Sequence, residues 1–185
     1  MIIMTNETEK KILNAALNVF AKKGRDAATT KAIAEKAGRT EMTLFRKFGT
    51  KKNLFDLVLI QNMEKMKTEM ETIVNDLDNK FDNPEMFLET YIRRVVQFYE
   101  NNIEAITLIV NDDNASIDSL LGDINNFVGE FMAKNLPKNK KINPKTLGIF
   151  INSYIYSLTL EVFNGRNVQF DEKIEGMIKN INMCF

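Results

Sequence analysis

Apolar residues in this chain return every three or four positions from one end to the other, and no stretch alternates with period two for long enough to make a sheet. An all-α fold is expected. Ile12, Leu13, Ala16, Leu17 and Phe20 form the stripe of a first helix, capped by Asn6 with Glu9 placed to reach back from the third position. Lys22, Lys23 and Gly24 suit its end, cations on the negative pole and a residue tolerant of positive φ. Two short helices follow. Thr29 or Thr30 opens one that turns Ile33, Ala34 and Ala37 inward and stops at Gly38. Thr40 caps the next, which carries Leu44, Phe45 and Phe48 before Gly49. The turn Gly38-Arg39-Thr40 has the length that sets two helices at a large angle, as in a helix-turn-helix.

A fourth helix is expected from a Thr50 cap to about Asp78, roughly 43 Å at 1.5 Å per residue, too long for the head alone. Leu59, Met63, Met66, Met70, Ile73 and Leu77 form its seam along the body. Pro84 starts a fifth helix whose inner face is Phe87, Leu88, Tyr91, Ile92, Val95, Phe98 and Tyr99. A separate short helix is expected at 103–110, then an Asn/Asp-rich turn at 111–114. The next helix aligns Ile117, Leu120, Leu121, Ile124, Phe127, Val128 and Phe131, and 137–143 reads as a solvated connection. Pro144 begins a helix ended by Asn164-Gly165 that is apolar on two sides. Leu147, Ile151, Ile155, Leu158 and Val162 lie on one side, and Ile149, Tyr156, Leu160 and Phe163 towards the other. One body cannot easily cover both, so a partner surface is expected. Asp171 is the expected cap of a last helix with the stripe Ile174, Met177, Ile178 and Ile181.

The length of 185 residues suits one core-forming unit, or two small ones sharing a long element. Composition then restricts the chemistry. The chain has no His, which excludes Ser-His-Asp triads, Cys-His pairs and imidazole zinc sites. It also carries no G-x-S-x-G, no Gly-rich phosphate loop and no clustered acidic metal motif. No enzyme, metal or cofactor is expected. The single Cys184 has no disulfide partner and reads as an inert thiol. No long purely apolar stretch suggests a membrane span, and Met1–Met4 is too short for a signal segment, so a cytoplasmic protein without a membrane partner is expected.

The formal net charge is zero, but it is a cancellation. Residues 1–66 hold 13 Lys and Arg against seven acidic residues, and 67–185 hold 12 against 18. Between 29 and 52 there are seven basic residues and two acidic ones. A basic head on an acidic body is what a nucleic-acid-binding module on an unrelated body would show.

The motifs make this specific. Ala28-Thr29-Thr30-Lys31-Ala32-Ile33-Ala34-Glu35-Lys36-Ala37-Gly38, then Thr43-Leu44-Phe45-Arg46-Lys47-Phe48, then Thr50-Lys51-Lys52-Asn53-Leu54 stand in order. Over about its first 60 residues the chain resembles the DNA-binding head of the tetracycline-repressor (TetR) family of bacterial regulators. The resemblance implies a helix-turn-helix domain at 1–50 and a helical ligand-binding and dimerisation domain at 51–185. It also implies a transcriptional regulator, a repressor released from double-stranded operator DNA by a small apolar or aromatic effector. The alternative is a DNA-bound structural or partner-recruiting protein with no inducer.

For the head, the expected DNA-binding residues are Thr29, Thr30, Lys31, Arg39, Thr40, Glu41, Met42, Thr43, Phe45, Arg46, Lys47 and Lys51. Thr30, Lys47 and Lys51 are assigned to phosphates, with helix four's N-terminus assisting Lys51. Glu41 is assigned to cytosine N4, Met42 to a thymine methyl and Arg46 to guanine. Several positions depart from the family pattern: Phe45 replaces a commoner Tyr, Met42 a small residue, Lys47 a His or Tyr, Arg39 a small apolar residue and Arg25 an aromatic. The operator sequence therefore does not transfer.

For the body, the resemblance implies a homodimer joined by the last two long helices, with Ile151, Ile155, Leu158, Val162, Ile174 and Ile178 as the expected contact residues. Two heads would then meet half-sites roughly 34 to 36 Å apart. An effector pocket is expected to be lined by Met63, Met66, Met70, Phe87, Tyr91, Phe98, Tyr99, Phe127 and Phe131. Helix four, shared by head and body, would carry the coupling.

Overall fold

The computed structural model describes residues 6–111, 117–137 and 142–185, the side chains of 117–123 excepted. Among them are eight helices and no strand: α1 Glu7–Ala27, α2 Thr30–Lys36, α3 Glu41–Phe48, α4 Lys51–Leu77, α5 Pro84–Val110, α6 Ile117–Asn135, α7 Pro144–Phe163 and α8 Phe170–Asn182. The expected residues at 112–114 and 138–141, and the side chains of Ile117, Leu120 and Leu121, lie outside this description.

Capping sets most of these boundaries. At α1 the Asn6 side chain accepts from Glu9 N–H while the Glu9 carboxylate accepts from Asn6 N–H, a complete capping box. Thr29, Thr40, Thr50 and Asn143 each accept a first-turn N–H with the side-chain oxygen. Gly24 has the positive φ expected of it, +76°, but one more turn follows to Ala27, so it makes a kink and does not end α1.

The chain divides into two compact units, Met1–Lys65 with Glu104–Ala115, and Met66–Ile103 with Ser116–Phe185. Packing therefore does not divide at residue 50. In the first unit Leu54, Phe55 and Val58 of α4 are buried beside Ile12, Phe20, Ile33, Leu44 and Phe48, together with Leu108 of α5. These α4 residues repeat at i, i+1 and i+4 on one face, each worth about 1.5–3 kcal/mol when buried. Phe20 and Phe55 meet edge-to-face at 5.1 Å, and Arg25 lies 5.1 Å over the outer face of the Phe55 ring. On the α4 seam, burial is confined to Ile73 and Leu77, while Met63 is 46% exposed.

The second unit gathers Leu88, Ile92 and Val95 of α5, Val128 and Met132 of α6, Leu147, Ile151, Ile155 and Leu158 of α7, and Ile174, Met177, Ile178 and Ile181 of α8. α5 is continuous through the break expected after Tyr99. Asn102 is buried within it, its amide donating to the Phe98 carbonyl and to Glu69. On α6, Ile124 and Phe127 are exposed despite their apolar register. Phe127 lies about 100° around the helix from Val128, at the edge of the arc centred on Val128 and Met132. Asp171 does not cap α8. Gln169, at φ +50°, precedes the helix without a side-chain cap bond, and Asp171 sits in the first turn, where its charge suits the dipole.

α7 has the length and hydropathy of a membrane span, contrary to the expectation that no segment would. It is a core helix: Leu147, Ile151, Asn152, Ile155 and Leu158 are buried within the unit.

Candidate nucleic-acid interface

The helix-turn-helix is built by short-range bonds. Gly38, at φ +62°, lets the chain leave α2, with Gly38 N–H donating to the Glu35 carbonyl and Arg39 N–H to the Ala34 carbonyl. Thr40 then starts α3, its hydroxyl also 3.0 Å from that of Thr43. Leu44 and Phe48 anchor α3 in the core, which turns Met42, Phe45 and Arg46 outward. Met42 is 81% exposed and Phe45 45%, so neither contributes much to the core.

Four of the expected contact residues are held by partners within the head. The Thr30 hydroxyl donates to the Glu41 carboxylate at 2.6 Å. A hydroxyl has one proton to give, so Thr30 is not placed to donate to a phosphate, while Glu41 has one carboxylate oxygen engaged by it. Lys47 Nζ donates to Glu9 at 2.8 Å in a half-buried ion pair. This hydrogen bond holds the Glu9 carboxyl below its ordinary range. Lys51 Nζ donates to the carbonyl oxygens of Arg25, Asp26 and Ala28 at 3.0, 3.2 and 3.1 Å. All three ammonium protons are engaged on the last turn of α1, so Lys51 closes a helix C-terminus where a phosphate contact was expected.

The remaining expected residues fall into two groups. Thr29 and Thr40 serve as caps, and Thr43 is half-buried beside Thr40. Lys31, Arg39, Met42, Phe45 and Arg46 are exposed, with Arg39 donating to the neighbouring Gly38 carbonyl. Lys52 pairs with Asp56 one turn along α4. The tertiary partner that sequence reasoning missed is Glu9. The capping box already accounted for it, and nothing local relates it to Lys47, 38 positions away. Asn18 was missed similarly: its amide donates to Glu104, joining α1 to the end of α5.

Residues 12–58, which span α2, α3 and the start of α4, match the family described as bacterial regulatory proteins, tetR family. The chain carries a TetR-type DNA-binding head at residues 12–58. Over 70 residues it is 43% identical to an uncharacterized HTH-type transcriptional regulator, YvkB, of Bacillus subtilis (strain 168). That match spans 38% of this chain and 37% of the relative. The full-length fold is TetR-like too. The ketosteroid transcriptional regulator KstR2 of Mycobacterium tuberculosis superposes with a TM-score of 0.69 at 14% identity, over 96% of this chain and 94% of that one. FadR from Bacillus subtilis, in complex with stearoyl-CoA, gives 0.61 at 17% identity, over 92% and 95%.

In the body of the chain, the expected effector residues are only partly assembled. Phe87, Tyr91 and Phe131 are buried and in mutual ring contact at 5.8–6.3 Å. Burial pushes the Tyr91 hydroxyl pKa up. Asn152, from α7, donates to that hydroxyl and to the Gly148 carbonyl. Phe98 packs edge-on against Tyr99, whose pKa burial pushes up to about 12. Met66 and Met70 are half-buried, while Met63 and Phe127 are exposed. A groove of about 330 Å3 between α5 and α8, edged by Arg93, Glu100, Phe170 and Glu175, is lined by none of the expected effector residues.

The residues expected at a dimer contact fall into two groups. Ile151, Ile155, Leu158, Ile174 and Ile178 are buried in the chain's own core, because α5, α6 and α8 already cover that side of α7. Val162, in the last turn of α7, is 48% exposed. The other sides of α7 carry Ile149, Tyr156 and Leu160, half-buried, and Phe150, 58% exposed and stacked on Tyr154 at 6.2 Å.

Proposed function

We propose that this protein is a one-component transcriptional regulator that binds operator DNA through the exposed face of α3 and represses the gene beside it from the cytoplasm. The observation that carries this reading is the solvent-facing group Met42, Phe45 and Arg46 on the second helix of a TetR-type helix-turn-helix, fixed from behind by Leu44 and Phe48. Lys31, Arg39 and the α3 N-terminus supply the positive field that positions phosphates.

The protein acts as a homodimer, and the outward face of α7 around Phe150, not the buried Ile151 stripe, is the surface that supports this. A small apolar effector releases it. This is supported by the Met and aromatic content of the second unit and by two fold neighbours, one described as a ketosteroid regulator and one in complex with stearoyl-CoA. Release follows if the effector favours a pose of α4 and α5 that operator-bound dimers do not adopt, since both helices contribute to both units.

Capture of fragments from the source genome by the full chain, followed by titration of the recovered operator complex with stearoyl-CoA or a ketosteroid, tests the reading. Fragments upstream of a gene, released by an apolar probe, are expected. Failure to enrich any fragment would overturn it. The mutual packing of Phe87, Tyr91 and Phe131 favours a second reading, a DNA-bound protein that recruits a partner and takes no inducer. A specific operator complex indifferent to every apolar probe would support that one.

A further inference from the structure

We infer that α3 reads its half-site through methyl groups: Met42 and Phe45 meet the 5-methyls of thymines on neighbouring base pairs, and Arg46 takes a guanine beside them. This rests on the operator-binding reading above and names what that surface recognises.

Met42 and Phe45 are large apolar side chains left in solvent at 81% and 45%, while Leu44 and Phe48 complete the core without them. On a helix of 3.6 residues per turn, Met42, Phe45 and Arg46 fall within an arc of about 100°, with Met42 between the other two. From Met42 to Phe45 the axial rise is about 4.5 Å, comparable with the roughly 3.4 Å step between base pairs. The thymine methyl is the apolar group on a major-groove base edge, so an apolar pair in that groove finds its complement there.

The polar readers on the same turn are engaged. Glu41 accepts from Thr30, and the Thr43 hydroxyl pairs with that of Thr40. Arg46 is exposed, and its guanidinium is available for the O6 and N7 acceptors of guanine. What discriminates here is therefore a methyl pair and one fork of donors, beside a Glu41 carboxylate that Thr30 holds by one oxygen.

The test uses a duplex selected by the full chain from a randomised library. Replacing thymine by deoxyuridine removes the methyl and leaves base pairing intact, so any loss belongs to the methyl contact. Each of two adjacent thymines in the half-site is expected to lose about fourfold in affinity on replacement. The Met42→Ala protein, whose fold circular dichroism can verify, should respond at one of them only. Replacing the neighbouring guanine by 7-deazaguanine should cost wild type about tenfold or more, and the Arg46→Ala protein little. A tight selected site that tolerates deoxyuridine throughout, or that contains no adjacent thymines, would overturn this inference alone. Selection of no site at all would overturn the operator-binding reading and this inference with it.

Discussion

Lys51 Nζ donates to the Ala28 carbonyl oxygen at 3.1 Å, across 23 residues of chain. With its bonds to Arg25 and Asp26 it closes the kinked end of α1 against the start of α4. A lysine at the first position of a helix reads as a phosphate ligand, and here it is a tertiary clamp. Lys51→Met should therefore destabilise the protein by about 1–3 kcal/mol in urea titration, since three helix-end carbonyls, two of them part-buried, lose a charged donor. The dependence of log affinity on log salt should stay at its wild-type slope. A slope shallower by about one unit would place the ammonium on a phosphate.

The Glu9–Lys47 pair ties the first turn of α1 to the last turn of α3. Glu9 has its pKa lowered from 4.5, chiefly by the hydrogen bond from Lys47, so folding favours its ionised form. That contribution is fully present above pH 4.5 and is lost as pH falls through the lowered value. Stability measured from pH 7 to pH 3 should fall less steeply in Glu9→Gln than in wild type. Parallel curves would show that the pair is not linked to folding.

At Gly148 α7 packs closely against α6. A Cβ there would lie 2.6 Å from Met132 Cγ and 2.9 Å from Val128 Cγ1, and the branched valine is stiff. Gly148→Ala should cost about 1–3 kcal/mol by overpacking. At Gly176 on α8 a Cβ meets nothing within 4 Å, and Gly176→Ala should stabilise by about 0.4–1 kcal/mol through helix propensity and the unfolded chain. Thermal melts of the two variants moving in the same direction would contradict this packing.

Asn152 is buried and donates to the Tyr91 hydroxyl and the Gly148 carbonyl. Tyr91→Phe removes one of those acceptors and should destabilise by about 1–3 kcal/mol. Combining Tyr91→Phe with Asn152→Leu should recover part of the loss, because both polar groups are then gone. Additive losses in the double variant would show that the two side chains act independently.

What was legible in the sequence is local. Asn6 with Glu9, the threonines at 29, 40 and 50, Asn143, and the glycines at 24, 38, 49 and 165 report conformations that a few neighbouring residues decide. The stripe of α8 was legible for the same reason, since four apolar residues at helical spacing have one face to bury. The partners of Thr30, Lys47 and Lys51 were not legible, because no periodicity links side chains that the fold alone brings together. α7 was read correctly as two-sided, yet which side the chain itself would cover depended on α5, α6 and α8.

The central claim, that the exposed face of α3 recognises a specific operator, is tested most directly by one ratio. Affinity of the full chain is measured for its selected duplex and for a scrambled duplex of equal length and composition, at one fixed salt concentration near 0.15 M. A ratio of about 10³ or more, falling towards one in Arg46→Ala with Met42→Ala, is the predicted result. A ratio near one for the wild-type protein would contradict it.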